Sequence, residues 1–182
     1  TDEYYGSEHS FIEAMGEFVL GEIQQFPDTS YLTLLEPSLV VEPPSSDQRE
    51  LVAELIKTIA SKIESELVIQ TYWGSLDEDA YASLVELGVG IGFDFVTEKE
   101  SNLALLEEYG GPETTSLGVV DGQNTHIESA EEIQKMIKGI LETGADIQNA
   151  IVNPNTGLFY LPENRFTEKL ELLGSIAKME EI

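Results

Sequence analysis

Leu117-Gly118-Val119-Val120-Asp121-Gly122-Gln123-Asn124 is a short apolar run that stops at a carboxylate and a glycine turn. Ala150-Ile151-Val152-Asn153-Pro154-Asn155-Thr156-Gly157-Leu158, thirty or so residues on, does the same at an asparagine and a proline. A continuous apolar run bounded by turn residues reads as a strand buried on both faces, the kind found in parallel sheets. Each run is followed by an amphipathic helical stretch. A parallel strand of this type delivers its exit residue to the mouth of an α/β fold.

The same rhythm extends outward in both directions. Tyr31 to Leu35, Leu67 to Thr71 and Val89 to Phe93 are further strand candidates, ended by Glu36-Pro37, Tyr72-Trp73-Gly74 and Asp94. Between them lie helical patterns. Leu51, Leu55, Ile59 and Ile63 mark a long helix after the loop Pro43-Pro44-Ser45-Ser46-Asp47. Tyr81, Leu84 and Val85 mark a short one, and Leu103, Leu105 and Leu106 a third that Gly110-Gly111 ends. Ser129-Ala130-Glu131-Glu132 is a capping box ahead of Ile133, Ile137 and Ile140. A leading helix carries the stripe Phe11, Met15, Phe18, Val19 and Ile23, with Ser7 or Ser10 as its cap. The last helix carries Phe166, Leu170 and Leu173.

Strands alternating with helices predict an α/β fold with a parallel sheet. It is either doubly wound or a (β/α) barrel of the TIM type. A full barrel takes about 250 residues, and this chain has 182 in a single domain, residues 1–182. As a barrel it holds five of the eight βα units, the fourth to eighth strands. The remaining strands then come from a missing N-terminal portion, a partner, or a second copy. Unpaired parallel edges predict self-association.

Composition excludes several functions. With no cysteine, neither disulfide, thiolate nucleophile nor Cys-ligated metal is available, which fits a cytoplasmic protein. No apolar run is long enough to span a membrane. The net charge of −26, with nine Lys and Arg, opposes binding to nucleic acid or anionic membranes. The carboxylates are spread from end to end, which predicts a solvated surface suited to high salt, as in a halophilic or archaeal host, rather than a patch for a basic partner.

The strand exits gather the candidate site residues: Glu36, Tyr72, Trp73, Asp94, Asp121, Asn124, Asn153 and Asn155. Together they describe a polar cup for a small molecule. Glu36 is placed to orient an amine or act as a base, or to cap its own turn. Trp73, the one tryptophan, is placed to stack on a flat ligand or to cover the rim. Asp121 and Asn124 also fit a turn that satisfies itself. Gly90-Ile91-Gly92 before Asp94 lacks the spacing of a dinucleotide fingerprint. His9 and His126 form no metal pattern, and neither a nucleophile elbow nor a phosphate loop is present.

The strand-end phrases, in order, resemble the cobalamin-independent methionine synthase family. The likeness runs through Tyr31–Ser38, Val68–Gly74, Gly90–Val96, Gly118–Asn124 and Asn153–Leu158. The resemblance implies a (β/α)₈ barrel whose catalytic form holds zinc through His, Cys, Glu and a second Cys. There the zinc activates a homocysteine thiolate that takes a methyl group from a folate. Those ligand positions fall at Tyr72, Gly74, near Asp94, and at Thr156, so three of the four are residues that bind zinc poorly. The family's amine-holding Asp becomes Leu35, ahead of Glu36-Pro37. Tyr72-Trp73-Gly74 and Val120-Asp121-Gly122 are similar instead to the family's zinc-free N-terminal barrel. The resemblance therefore implies no metal on this chain, a folate as a candidate ligand, and an accessory role beside a zinc-bearing barrel. The alternative is a divergent methyltransferase, or another small-molecule enzyme, that uses the strand-end polar groups without zinc.

Overall fold

The computed structural model describes residues 4–27, 29–143, 145 and 147–178. Helix α1 (Glu8–Ile23) leads into β1 (Tyr31–Leu35). Then come α2 (Ser38–Val41), α3 (Ser46–Ala60), β2 (Glu66–Gln70), α4 (Glu78–Glu86), β3 (Gly90–Asp94) and α5 (Lys99–Tyr109). The chain continues through β4 (Thr114–Val120), α6 (Ala130–Leu141), β5 (Asn149–Pro154), a 3₁₀ turn (Leu158–Tyr160) and α7 (Glu163–Ile176).

Local chemistry sets the helix starts. Ser7 accepts from the Ser10 N–H, Asp77 from the Ala80 N–H, and Ser129 from the Glu132 N–H. Each satisfies a donor that has no partner within its own helix. Gly110, at φ 80°, ends α5 in a conformation that glycine adopts without strain. The short α2, absent from the sequence expectation, is preceded by Pro37 as its N-cap, whose fixed φ is already helical.

Every strand pair is parallel, and the order is β1-β2-β3-β4-β5. A doubly wound sheet reverses its order at a switch point. This sheet winds in one direction only, as a barrel does. It forms a curled half-barrel with helices outside.

Alternation along the strands sorts the two faces. Leu67, Ile69, Ile91, Phe93, Leu117 and Val119 join the core formed with Ile56, Ile59, Leu84, Leu106, Ile133, Ile137, Ile140 and Ile176 from the helices. The register places Val68, Gln70, Gly92, Ser116, Gly118 and Asn153 on the other, concave face. There the Ser116 hydroxyl donates to Gln70 Oε1 at 2.9 Å and accepts from Asn153 Nδ2 at 2.8 Å. Gln70 reaches across β3 because Gly92 has no side chain; a Cβ there would run into the Gln70 amide. A branched aliphatic layer would normally fill a barrel at this level. Here the layer is a lateral chain of polar groups.

Burial falls off toward the edges. β3 and β4 are buried along their whole length, whereas β1 and β5 are only partly covered. The two terminal helices depart from the sequence expectation for the same reason. In α1, Val19 and Ile23 pack on the core, while Phe11, Met15 and Phe18 stay exposed. In α7, Phe166 and Leu170 are exposed, and the buried face is Lys169, Leu172, Leu173 and Ile176. Among the described residues, no helix is long and apolar enough to cross a membrane.

Candidate functional site

The five strand exits converge at the C-terminal mouth of the half-barrel, where parallel α/β folds present ligand-binding groups. Asp94, at the end of β3, is wholly buried. Its Oδ1 accepts from the N–H groups of Val96 (3.0 Å) and Thr97 (2.9 Å) and from Asn155 Nδ2 (3.1 Å). Its Oδ2 accepts from the Thr97 hydroxyl and the Trp73 N–H (3.2 Å). A buried carboxylate surrounded this fully is held by its donors and in turn fixes them.

Asn155, also wholly buried, carries the network to the next exit. Its Oδ1 accepts from the Gly122 N–H at 2.9 Å, and its own N–H donates to the Val120 carbonyl at 2.8 Å. The neighbouring Asp121 N–H donates to Glu128 Oε1 at 2.8 Å, and Glu128 Oε2 pairs with Lys169 Nζ at 2.9 Å. The Lys169 side chain is fully buried. One belt of hydrogen bonds therefore laces the exits of β2, β3, β4 and β5, from Trp73 through Asp94, Asn155 and the Asp121-Gly122 turn to Lys169 on α7.

Asp121 and Asn124 meet each other. Asn124 Nδ2 donates to Asp121 Oδ2, Asp121 Oδ1 accepts from the Gln123 N–H at 2.8 Å, and Asn124 Oδ1 accepts from the His126 N–H at 2.9 Å. Asn153 stands apart from the belt, on the concave face with Ser116 and Gln70.

Glu36 and Tyr72 form the opposite side of the mouth. The Glu36 N–H donates to the Gln70 carbonyl at 2.9 Å, which sets Glu36 beside Thr71 and Tyr72. Glu36 Oε1 accepts from the Ser38 N–H at 3.2 Å and from the Ser38 hydroxyl, capping α2. Tyr72 and Trp73 lie edge to face, with ring centroids 4.8 Å apart at 81°. Burial pushes the Tyr72 phenol above its ordinary value, and the charge of Glu36 and then Tyr160 add to the rise. Trp73 is 51% exposed. Its φ of 69° is the one positive value outside glycine among the described residues. For a bulky side chain that conformation costs on the order of 1–3 kcal/mol and persists only where neighbours enforce it. Here Asp94 does so through the Trp73 N–H.

At the positions the resemblance aligns with zinc ligands, Asp94 already accepts from several donors, Thr156 is buried, and Tyr72 and Gly74 offer neither imidazole nor thiolate. Among the described residues, no three His, Cys, Asp or Glu side chains converge as a ligand set.

Sequence reasoning missed Lys169, Glu128, Gln70, Ser116 and Tyr160. A polar residue inside an apolar strand was the available signal for Gln70 and Ser116. Lys169 and Glu128 gave none, because a lysine in an acidic chain reads as surface.

Residues 14–145 match the family described as "Cobalamin-independent synthase, N-terminal domain". The 5-methyltetrahydropteroyltriglutamate–homocysteine methyltransferase of Lactococcus lactis subsp. cremoris (strain SK11) is 29% identical over 157 residues, 83% of this chain and 20% of that protein. The protein of the same name from Bacillus subtilis (strain 168) is 34% identical over 131 residues, 70% of this chain and 16% of that one. The chain thus spans no more than about a fifth of the curated relatives it matches. In fold it is similar to a B12-independent methionine synthase from Shewanella sp. W3-18-1, solved in complex with selenomethionine. That likeness has a TM-score of 0.70 at 17% identity and covers 97% of this chain and 56% of the other.

Proposed function

Because the chain belongs to the cobalamin-independent methionine synthase family, within its N-terminal-domain branch, we propose that it is a zinc-free accessory barrel for methyl transfer to a thiol. It supports a zinc-bearing barrel, in the cytoplasm, and does not carry out the transfer alone. The observation that carries this reading is the state of Asp94, the residue near the family's zinc-glutamate position. Its lone pairs accept from Val96, Thr97, Trp73 and Asn155. That leaves the carboxylate as a structural node.

The mouth keeps groups suited to a small ligand, a folate or an amino-acid-like molecule, in Glu36, Tyr72, Trp73, Asp121 and Asn124. The partly covered edges of β1 and β5 are the surfaces through which the chain meets a partner barrel or a second copy.

Metal analysis of the purified protein tests the first part. Zinc well below one equivalent is expected, and one zinc per chain retained through dialysis would overturn it. Methyl transfer from a methylfolate to homocysteine is expected only when a zinc-bearing family member is added. Turnover by the chain alone would favour a divergent enzyme. A thermal-shift screen with homocysteine, methionine and a folate tests the cup, since a ligand that binds only the folded state raises the melting temperature.

A further inference from the structure

Resting on the reading of the mouth as a ligand cup, we propose that the corner between Tyr72 and Trp73 takes a small onium cation, a methylated ammonium or sulfonium head, with Glu36 as its counter-charge. Rings at 81° with centroids 4.8 Å apart form two walls of a corner, and aromatic faces attract cations that carry no N–H to donate. Trp73 is turned into this position against its backbone preference and fixed there by a buried carboxylate. A half-exposed indole held this way is presented to solvent rather than left over from packing.

Glu36 lies alongside through its backbone bond to Gln70, and its Oε2 has no partner among the described residues. The Tyr72 phenol, raised by burial with Glu36 adding to the effect, stays protonated and leaves the negative charge on Glu36 alone. Tyr160, from the turn after β5, is 86% exposed and lies within electrostatic reach of Tyr72.

The charge around the corner sets the sign of the group it takes. The strand exits carry Glu36, Asp94 and Asp121, and none carries a Lys or Arg. The Lys169 ammonium is taken by Glu128, and the Arg49 guanidinium by Asp77. A chain of net charge −26 adds a field that concentrates cations. At the corner between Tyr72 and Trp73 itself, therefore, no Lys or Arg of the strand exits supplies a counter-charge to an anionic group.

Trp73 is the sole tryptophan, so its fluorescence reports on the corner directly. Tetramethylammonium chloride is titrated at constant ionic strength, balanced with NaCl, against 3,3-dimethylbutan-1-ol, an uncharged molecule with the same branched head. A saturable change with the cation and none with the alcohol is expected. Glu36→Gln should weaken binding about 5-fold and Tyr72→Leu about 10-fold, while Tyr72→Phe binds nearly as well. Glu36→Gln changes a partly exposed carboxylate and is expected to fold even if Tyr72→Leu does not.

A response that matches NaCl, an equal response to the alcohol, or no effect of Glu36→Gln overturns the inference. If homocysteine, methionine or a folate stabilises the protein while tetramethylammonium does nothing, the onium corner fails and the family reading of the cup stands. Tetramethylammonium binding with no response to those three supports the corner and counts against the family ligand.

Discussion

The Tyr31 hydroxyl, at the start of β1, accepts a 2.8 Å hydrogen bond from the Asn149 amide, at the start of β5, across 118 positions of chain. Four strand spacings of about 4.8 Å would separate these strands by about 19 Å in a flat sheet. A tyrosine and an asparagine cannot bridge that gap, so the sheet must curl until its two edges face each other. In an eight-stranded barrel, strands four apart are diametrically opposite. The bond therefore crosses the lumen, and Asn149 also donates to Thr114 at 3.0 Å.

Tyr31→Phe should destabilise the fold by about 1 kcal/mol, the usual net worth of one such bond. Combined with Asn149→Ala in a double-mutant cycle, the two should show a coupling of about 0.5–1.5 kcal/mol in urea unfolding. Additive effects would mean that the bond does not help hold the curl.

Lys169→Met should cost about 3 kcal/mol or more. It removes the cation from a pair whose side chains are 0% and 16% exposed, leaving Glu128 uncompensated. Glu128→Gln added to that variant should recover part of the loss. Amide exchange at Asp121 should quicken in Lys169→Met, because its N–H bonds to Glu128. A loss no larger than that of an ordinary surface lysine would contradict the buried pair.

Gly118→Ala should destabilise by about 1–3 kcal/mol. The new Cβ would lie 2.5 Å from the Phe93 carbonyl oxygen and 2.8 Å from Asn155 Cα, both backbone atoms with little room to move. Gly139→Ala, inside α6 with nothing within 4 Å, should stabilise by about 0.5–1 kcal/mol. Opposite signs in the melting temperatures are the check.

Asp77→Asn should narrow the stability difference from wild type as the solution is acidified. Burial alone would raise the Asp77 carboxyl. Hydrogen bonds from Ala80 and Arg49, with the Arg49 charge, outweigh it and hold the group below 3.8. A depressed carboxylate stabilises the fold above its unfolded value and loses that contribution as pH falls through its folded value. The gap should be about 0.5 kcal/mol at pH 7, as for half-exposed ion pairs, and should vanish in acid. A gap that is flat between pH 7 and pH 2 would contradict the assignment.

The melting temperature should rise with KCl. At a net charge of −26 the folded surface repels itself, and about 1 M salt shortens the screening length to about 3 Å. A fall would remove the case for a surface suited to high salt.

The strands were legible because each is a local apolar run with a hard stop. Tyr31–Leu35 appears in the structure with the limits read from sequence, and the other four shift by at most two residues at an end. The capping box at Ser129 was legible for the same reason, since its partners lie three residues apart. The terminal helices were not. Which stripe of α1 or α7 is buried depends on what lies beside it, and Phe11, Phe18 and Leu170 are exposed where periodicity alone would bury them.

The sequence by itself determined the strand–helix rhythm, the family, and the roster of polar strand exits, because these rest on neighbours within a few residues. Only the tertiary structure decided what each exit does. Asp94 became a buried node, Asn153 faced the lumen, and Trp73 was turned outward, since these outcomes depend on partners up to 61 residues away in the chain. Lys169 is the clearest case. Its burial against Glu128 is a matter of α7 meeting the loop that precedes α6, and nothing local to either residue requires it.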